Sequence, residues 1–122
     1  MNRTVIEVVD DNEDIRRMLA LVLESRGYLV RQHASGQDYL DAQPSSAPHV
    51  MLLDVRMPNM TGLELHARMK ARGDTIPVIF MSGESQAHEI EQITAAKAVD
   101  FLWKPFNTSH LLQTIERGLS GQ

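Results

Sequence analysis

Val50-Met51-Leu52-Leu53-Asp54 is an unbroken apolar run that ends on an acid. Four apolar residues in a row leave no polar face for water. A run of that length is a strand buried on both sides, as in a parallel sheet covered by helices. The run follows Pro44-Ser45-Ser46-Ala47-Pro48, a turn-rich loop, and gives way to Val55-Arg56-Met57-Pro58. Just beyond, Thr61 stands three residues before Glu64, a capping-box spacing that predicts a helix to about Arg72.

The same alternation extends in both directions. Val5-Ile6-Glu7-Val8-Val9 reads as a buried strand that stops at Asp10-Asp11. From Glu13 to Arg26 the period changes, with Ile15, Met18, Leu19, Val22 and Leu23 on one helical face and Gly27 at the C-terminal cap position. Tyr28-Leu29-Val30 opens a second strand, and Ser35 with Asp38 starts a short helix. Pro77-Val78-Ile79-Phe80-Met81 is the fourth strand, ending at Ser82-Gly83, and a helix of weaker amphipathicity covers roughly Ser85 to Ala96. Phe101-Leu102-Trp103 is the last strand, ending at Lys104-Pro105. A final helix begins near Thr108 or Ser109 and carries Leu111, Leu112, Ile115 and Leu119. Strand and helix repeated five times predict an α/β chain: a doubly wound (βα)5, flavodoxin-like fold with a five-stranded parallel sheet and helices on both faces. Residues 1–122 read as a single domain, with no internal repeat and no interior linker.

In such a sheet, ligands bind beyond the carboxyl ends of the strands. Here those ends carry Asp10-Asp11, Asp54, Ser82 and Lys104, whereas the second strand offers nothing comparable. One Asp at a strand end is usually a cap or turn residue, and Ser-Gly or Lys-Pro alone is a turn. Convergence of all of them on one edge points instead to a site. Crowded carboxylates repel and raise each other's pKa values. Lys104 relieves part of that, and an all-oxygen site suits Mg²⁺ for the rest. An Asp carboxylate can attack phosphorus, and Lys104, the Ser82 hydroxyl and a metal can neutralise phosphoryl oxygens.

Asp10-Asp11, Asp54-Val55-Arg56-Met57-Pro58 with Gly62, Ser82-Gly83 and Lys104-Pro105-Phe106, in this order and spacing, resemble the receiver (chemotaxis-regulator-like) family of two-component response regulators. The likeness covers roughly Thr4 to Leu119. Val99-Asp100-Phe101 is most similar to members whose output is a helix-turn-helix DNA-binding domain. The resemblance implies that Asp54 accepts a phosphoryl group from a phosphohistidine on a sensor histidine kinase or a histidine phosphotransfer protein. It implies that Asp11, Asp54 and the backbone carbonyl of Arg56 bind Mg²⁺, with Asp10 acting through a bound water. Lys104 then pairs with the phosphoryl oxygens, Ser82 moves to the phosphate, and Phe101 turns inward with it. The fourth helix, fifth strand and fifth helix form the switched surface, where a phosphorylation-linked homodimer can form. The Lys104–Pro105 bond is expected to be cis. Ser82 stands where Thr is commoner, Lys97 where many members have Gly, and Arg56 and Glu84 at positions that tune phosphate lifetime.

Two other functions share parts of this pattern. A phosphate-ester hydrolase with an Asp nucleophile usually places a second Asp two residues on, where this chain has Arg56. A flavin module needs a Ser/Thr/Gly-rich first loop, where this chain has Asp10-Asp11-Asn12-Glu13. Such a loop repels a phosphate without a metal. The histidines His33, His49, His66, His88 and His110 show no ligand spacing. Trp103 reads as core or as partner surface, with the surface favoured.

Composition fits this reading. The net charge is −4 with no basic segment, so direct nucleic-acid binding is not expected of this domain. Cysteine is absent, which removes disulfides and thiolate metal sites and fits a reducing cytoplasm. No apolar run approaches the roughly 18 residues of a membrane helix.

Overall fold

The structure, a computed structural model, describes residues 4–43, 49–83, 100–104 and 107–120. The strands are β1 (Val5–Val9), β2 (Leu29–His33), β3 (His49–Asp54), β4 (Val78–Ser82) and β5 (Asp100–Trp103). The helices are α1 (Glu13–Glu24), α2 (Gly36–Asp41), α3 (Gly62–Ala71) and a C-terminal helix (Thr108–Ser120). The predicted helix at Ser85 to Ala96, the loop Pro44 to Pro48, Glu84, His88, Lys97 and the Lys104–Pro105 bond lie outside the described residues.

All strand pairs are parallel, in the order β2-β1-β3-β4-β5. Helices cover both faces of the sheet, because strands buried on both faces need helices on both. Ile6, Val8, Val50, Leu52, Ile79, Met81 and Leu102 point to the layer of α1 and the C-terminal helix, where they meet Leu19, Leu23, Leu111 and Ile115. Val9, Met51, Leu53, Val78 and Phe80 point the other way, against Tyr39, Leu65 and Met69 of α2 and α3.

The caps at Ser35 and Thr61 are those the sequence predicts, Asn12 is one it did not single out, and the helix ends shift slightly. Asn12 caps α1 by accepting from the Asp14 and Ile15 amides, and Ser35 caps α2 by accepting from Asp38. Thr61 and Glu64 complete a reciprocal capping box on α3. Helix α1 stops at Glu24, two residues short of the predicted Arg26, and Gly27 turns the chain at φ 90°. The amide of His110 donates to Asn107 Oδ1 at 2.7 Å, which anchors the start of the C-terminal helix. No helix among the described residues is long and apolar enough to cross a membrane.

Between β1 and β3 the strand order reverses: β1 leads to β2 on one side and β3 leads to β4 on the other. That crevice is where ligands bind in a doubly wound sheet.

Candidate functional site

Asp10 follows β1, Asp54 ends β3, Ser82 ends β4 and Lys104 follows β5, so the parallel register delivers them to one edge. Asp10, Asp11 and Asp54 each offer a carboxylate oxygen within 4.8 Å of the others. Asp10 and Asp54 are buried while Asp11 is exposed, so the cluster has a closed floor and an open mouth. The Lys104 ammonium reaches across it, 2.8 Å from Asp10 Oδ2 and 3.4 Å from Asp54 Oδ1.

The charges are unbalanced in favour of the acids. Burial pushes the Asp54 carboxyl up to about 6, and the Asp10 charge adds to the shift, while Lys104 opposes it. Asp54 is therefore still mostly ionised at neutral pH. Burial pulls Lys104 down, but its hydrogen bond to Asp10 and the two carboxylates outweigh that and hold it above its usual value.

The surrounding chain is shaped for close approach. An added Cβ at Gly62 would stand 2.2 Å from the Asp54 carbonyl oxygen, so only glycine lets α3 begin against the end of β3. The Gly62 amide donates to the Val55 carbonyl at 2.9 Å, and Asn59 takes φ 71° in the intervening turn, a conformation Asn tolerates. Ser82 is buried, and its Oγ has no hydrogen-bond partner among the described residues. A buried hydroxyl without a partner is costly. Three carboxylates form a hard-oxygen donor set that fits a hydrated divalent cation.

The structure thus brings Asp10, Asp11, Asp54 and Lys104 together, with Ser82 on the adjacent strand end. Arg56 lies exposed two residues beyond Asp54. Phe101 is partly buried against the α2–α3 layer and meets Trp103 edge-on at 4.6 Å between ring centroids. Trp103 is 49% exposed, which favours the surface reading over the core one.

Two sets of residues escaped the sequence reading. Arg16 Nη1 donates to the Asp10 carbonyl at 2.7 Å. Its spacing from Asn12, one helical turn beyond the cap, was the available signal. The second strand also contributes more than expected. The His33 carbonyl accepts from the Asp10 amide at 3.2 Å, and its ring lies 2.7 Å from Glu7 Oε1. Glu7 is buried in the middle of β1 and also receives Arg31 Nη1 at 3.2 Å. A lone acid inside an apolar strand, with Arg31 and His33 at alternate positions of the next one, was the overlooked sign.

Comparison with known proteins agrees with this geometry. Residues 6–116 match the response regulator receiver domain family. The chain is 36% identical over 119 residues to the transcriptional regulatory protein TdiR of Thauera aromatica, spanning 98% of this chain and 52% of that protein. It is 36% identical over 114 residues to the transcriptional regulatory protein FixJ of Azorhizobium caulinodans, spanning 93% and 54%. The chain thus spans about half the length of these relatives. Among solved structures, the FixJ N-terminal fragment superposes with a TM-score of 0.89 at 32% identity, covering 100% of this chain and 98% of that one. The chemotaxis protein CheY4 of Vibrio cholerae gives 0.82 at 33% identity, covering 94% and 98%. With sheet order, acidic cluster and sequence in agreement, the chain belongs to the response regulator receiver domain family, whose members are phosphoacceptor switches rather than classical enzymes.

Proposed function

We propose that this receiver accepts a phosphoryl group on Asp54 from a phosphohistidine of a sensor histidine kinase or phosphotransfer protein, and that the modification switches a distant surface. The observation that carries the reading is the cluster of Asp10, Asp11 and Asp54 bridged by Lys104 at a strand edge. Asp10, Asp11, Asp54 and the Arg56 carbonyl would hold Mg²⁺, which supplies charge neutralisation for the phosphoryl oxygens when bound.

The residues divide the work. An Asp54 carboxylate oxygen forms the bond to phosphorus as the phosphorus–nitrogen bond of the donor breaks. The electron pair leaves on the donor imidazole. Lys104, already 3.4 Å from Asp54, draws the incoming oxygens into place. The Ser82 hydroxyl, unpaired beforehand, gains an acceptor in the phosphoryl group. Hydrolysis reverses the state when water attacks phosphorus and the carboxylate departs. Phosphorylation replaces the single carboxylate charge with nearly two and brings three strong acceptor oxygens, so Ser82 and Lys104 are drawn inward. Phe101 follows, and the surface around Trp103 and the C-terminal helix is remodelled. The full-length relatives are named as transcriptional regulators, which supports a transcriptional output for a protein carrying this receiver.

The test is incubation with acetyl phosphate and Mg²⁺. The wild-type chain should gain one hydroxylamine-labile phosphoryl group, and Asp54→Ala should gain none. Equal labelling of the two would remove Asp54 as acceptor. Size-exclusion chromatography with and without beryllofluoride tests the linked homodimer, which an unchanged monomer would remove.

A further inference from the structure

Asp10 is fixed from four directions. Its amide donates to the His33 carbonyl of β2 at 3.2 Å, and its Oδ1 accepts from the Asn12 amide at 2.9 Å. Its Oδ2 accepts from Lys104 at 2.8 Å, and its carbonyl accepts from Arg16 at 2.7 Å. The last contact differs in kind. The Asp10 carbonyl belongs to the rigid peptide plane that joins Asp10 to Asp11. Gripping that oxygen sets the rotation of the plane, and with it the direction in which the Asp11 side chain leaves the backbone. Asp11 is the exposed member of the cluster, so its direction depends on the backbone that carries it.

Helix α1 makes the grip firm. Asn12 caps the helix through the Asp14 and Ile15 amides, and the Arg16 amide closes the first turn on the Asn12 carbonyl at 3.1 Å. The partly buried Arg16 side chain thus reaches back from a fixed turn to the loop that precedes it. We infer that Arg16 is a positioning residue for cation binding, which acts by holding the Asp10–Asp11 peptide so that both carboxylates face the cation with Asp54. The inference rests on the proposed Mg²⁺ site and adds to it the element that shapes the exposed half.

Electrostatics and positioning predict opposite signs, which makes the idea testable. A guanidinium beside a cation site repels the cation, so loss of its charge alone strengthens Mg²⁺ binding. Loss of a positioning contact weakens it, typically by about tenfold or more for residues that orient metal ligands. Mg²⁺ affinity should be measured by calorimetry on wild type, Arg16→Met, Arg16→Lys, Arg17→Met and Asp11→Asn. Arg17 pairs with Glu13 on the exposed face and serves as the charge control. Arg16→Met should bind Mg²⁺ about tenfold more weakly, Arg16→Lys should recover most of that, and Arg17→Met should not weaken it. In the metal-free proteins, amide exchange at Asn12 should quicken in Arg16→Met and not in Arg17→Met.

Unchanged or tighter Mg²⁺ binding by Arg16→Met, with wild-type exchange at Asn12, would overturn the inference while leaving the site intact. Unchanged binding by Asp11→Asn would instead overturn the site. Should Arg16→Met fail to fold, the unmodified protein decides by nuclear magnetic resonance. Resolved, slowly exchanging Arg16 guanidinium protons support the grip, and protons averaged like those of Arg17 overturn it.

Discussion

Among the described residues, two clusters of buried charge are built on opposite plans. At the carboxyl edge, Asp10, Asp11 and Asp54 face the Lys104 ammonium, with a buried Ser82 hydroxyl left unpaired. Under α2, by contrast, Glu7 is matched by Arg31 and His33. The His33 ring meets Tyr39 edge-on, and the Tyr39 hydroxyl donates to Asp74 at 2.7 Å. Arg72 lies over the Tyr39 ring and donates to the Leu40 carbonyl, while Arg31 donates to the Gln43 carbonyl. This second cluster is closed: its charges meet partners on the protein, so it fastens β1, β2, α2 and the turn after α3. The first is open and short of positive charge, so it keeps an appetite for a cation. Burial alone does not separate a structural charge from a functional one; the presence or lack of a partner does.

Removal of a charge should therefore have opposite consequences in the two places. Glu7→Ala strips the buried His33 ring of its partner and leaves Arg31 only the Gln43 carbonyl, and should destabilise the protein by about 3 kcal/mol in urea unfolding. A loss within experimental error would mean that the cluster is not a fastener.

Asp54→Asn should instead stabilise the metal-free protein, by about 2 kcal/mol at pH near 8. The Asp54 carboxyl titrates at about 6 in the folded chain against 3.8 ordinarily, so between those values the folded state holds the extra proton. Its contribution to stability falls as pH rises through that window. The gain from Asp54→Asn should accordingly shrink as pH is lowered from about 6 towards about 4. Thermal unfolding of both proteins across this range checks it, and a substitution that destabilises at high pH would reverse the assignment of strain.

Tyr39→Phe removes one hydrogen bond from the closed cluster and should cost about 1 kcal/mol. The burial of the Tyr39 hydroxyl and its bond to Asp74 raise its pKa, so the Tyr39 signal, read as the difference between wild type and Tyr39→Phe, should not appear in ultraviolet titration below the alkaline unfolding transition. The exposed Arg17–Glu13 pair belongs to neither cluster, and Arg17→Ala should change stability by no more than about 0.5 kcal/mol. A larger loss there would show that surface pairing stabilises the fold as much as the interior clusters do.

The two clusters also differed in how plainly the sequence announced them. Each acid of the open edge sits directly after an apolar run, where the run marks the strand and its end marks the edge. Glu7 lies inside such a run and is outnumbered there by Val5, Ile6, Val8 and Val9. Its partners Arg31 and His33 come from a strand whose polar alternation was visible, but pairing them needs the register Glu7↔Arg31 and Val9↔His33. Arg16 was hidden for a related reason, because a main-chain carbonyl carries no residue-type signature.

Local chemistry in the chain already specified the elements, the caps at Ser35 and Thr61, the parallel class of the sheet, and the edge that gathers Asp10, Asp54, Ser82 and Lys104. These follow from hydrophobic period and backbone hydrogen-bonding needs, which act over a few residues. Which buried charges are satisfied and which are left in excess was settled only by tertiary packing. That outcome depends on distances between side chains from separate strands, and on how much water the fold excludes around each one.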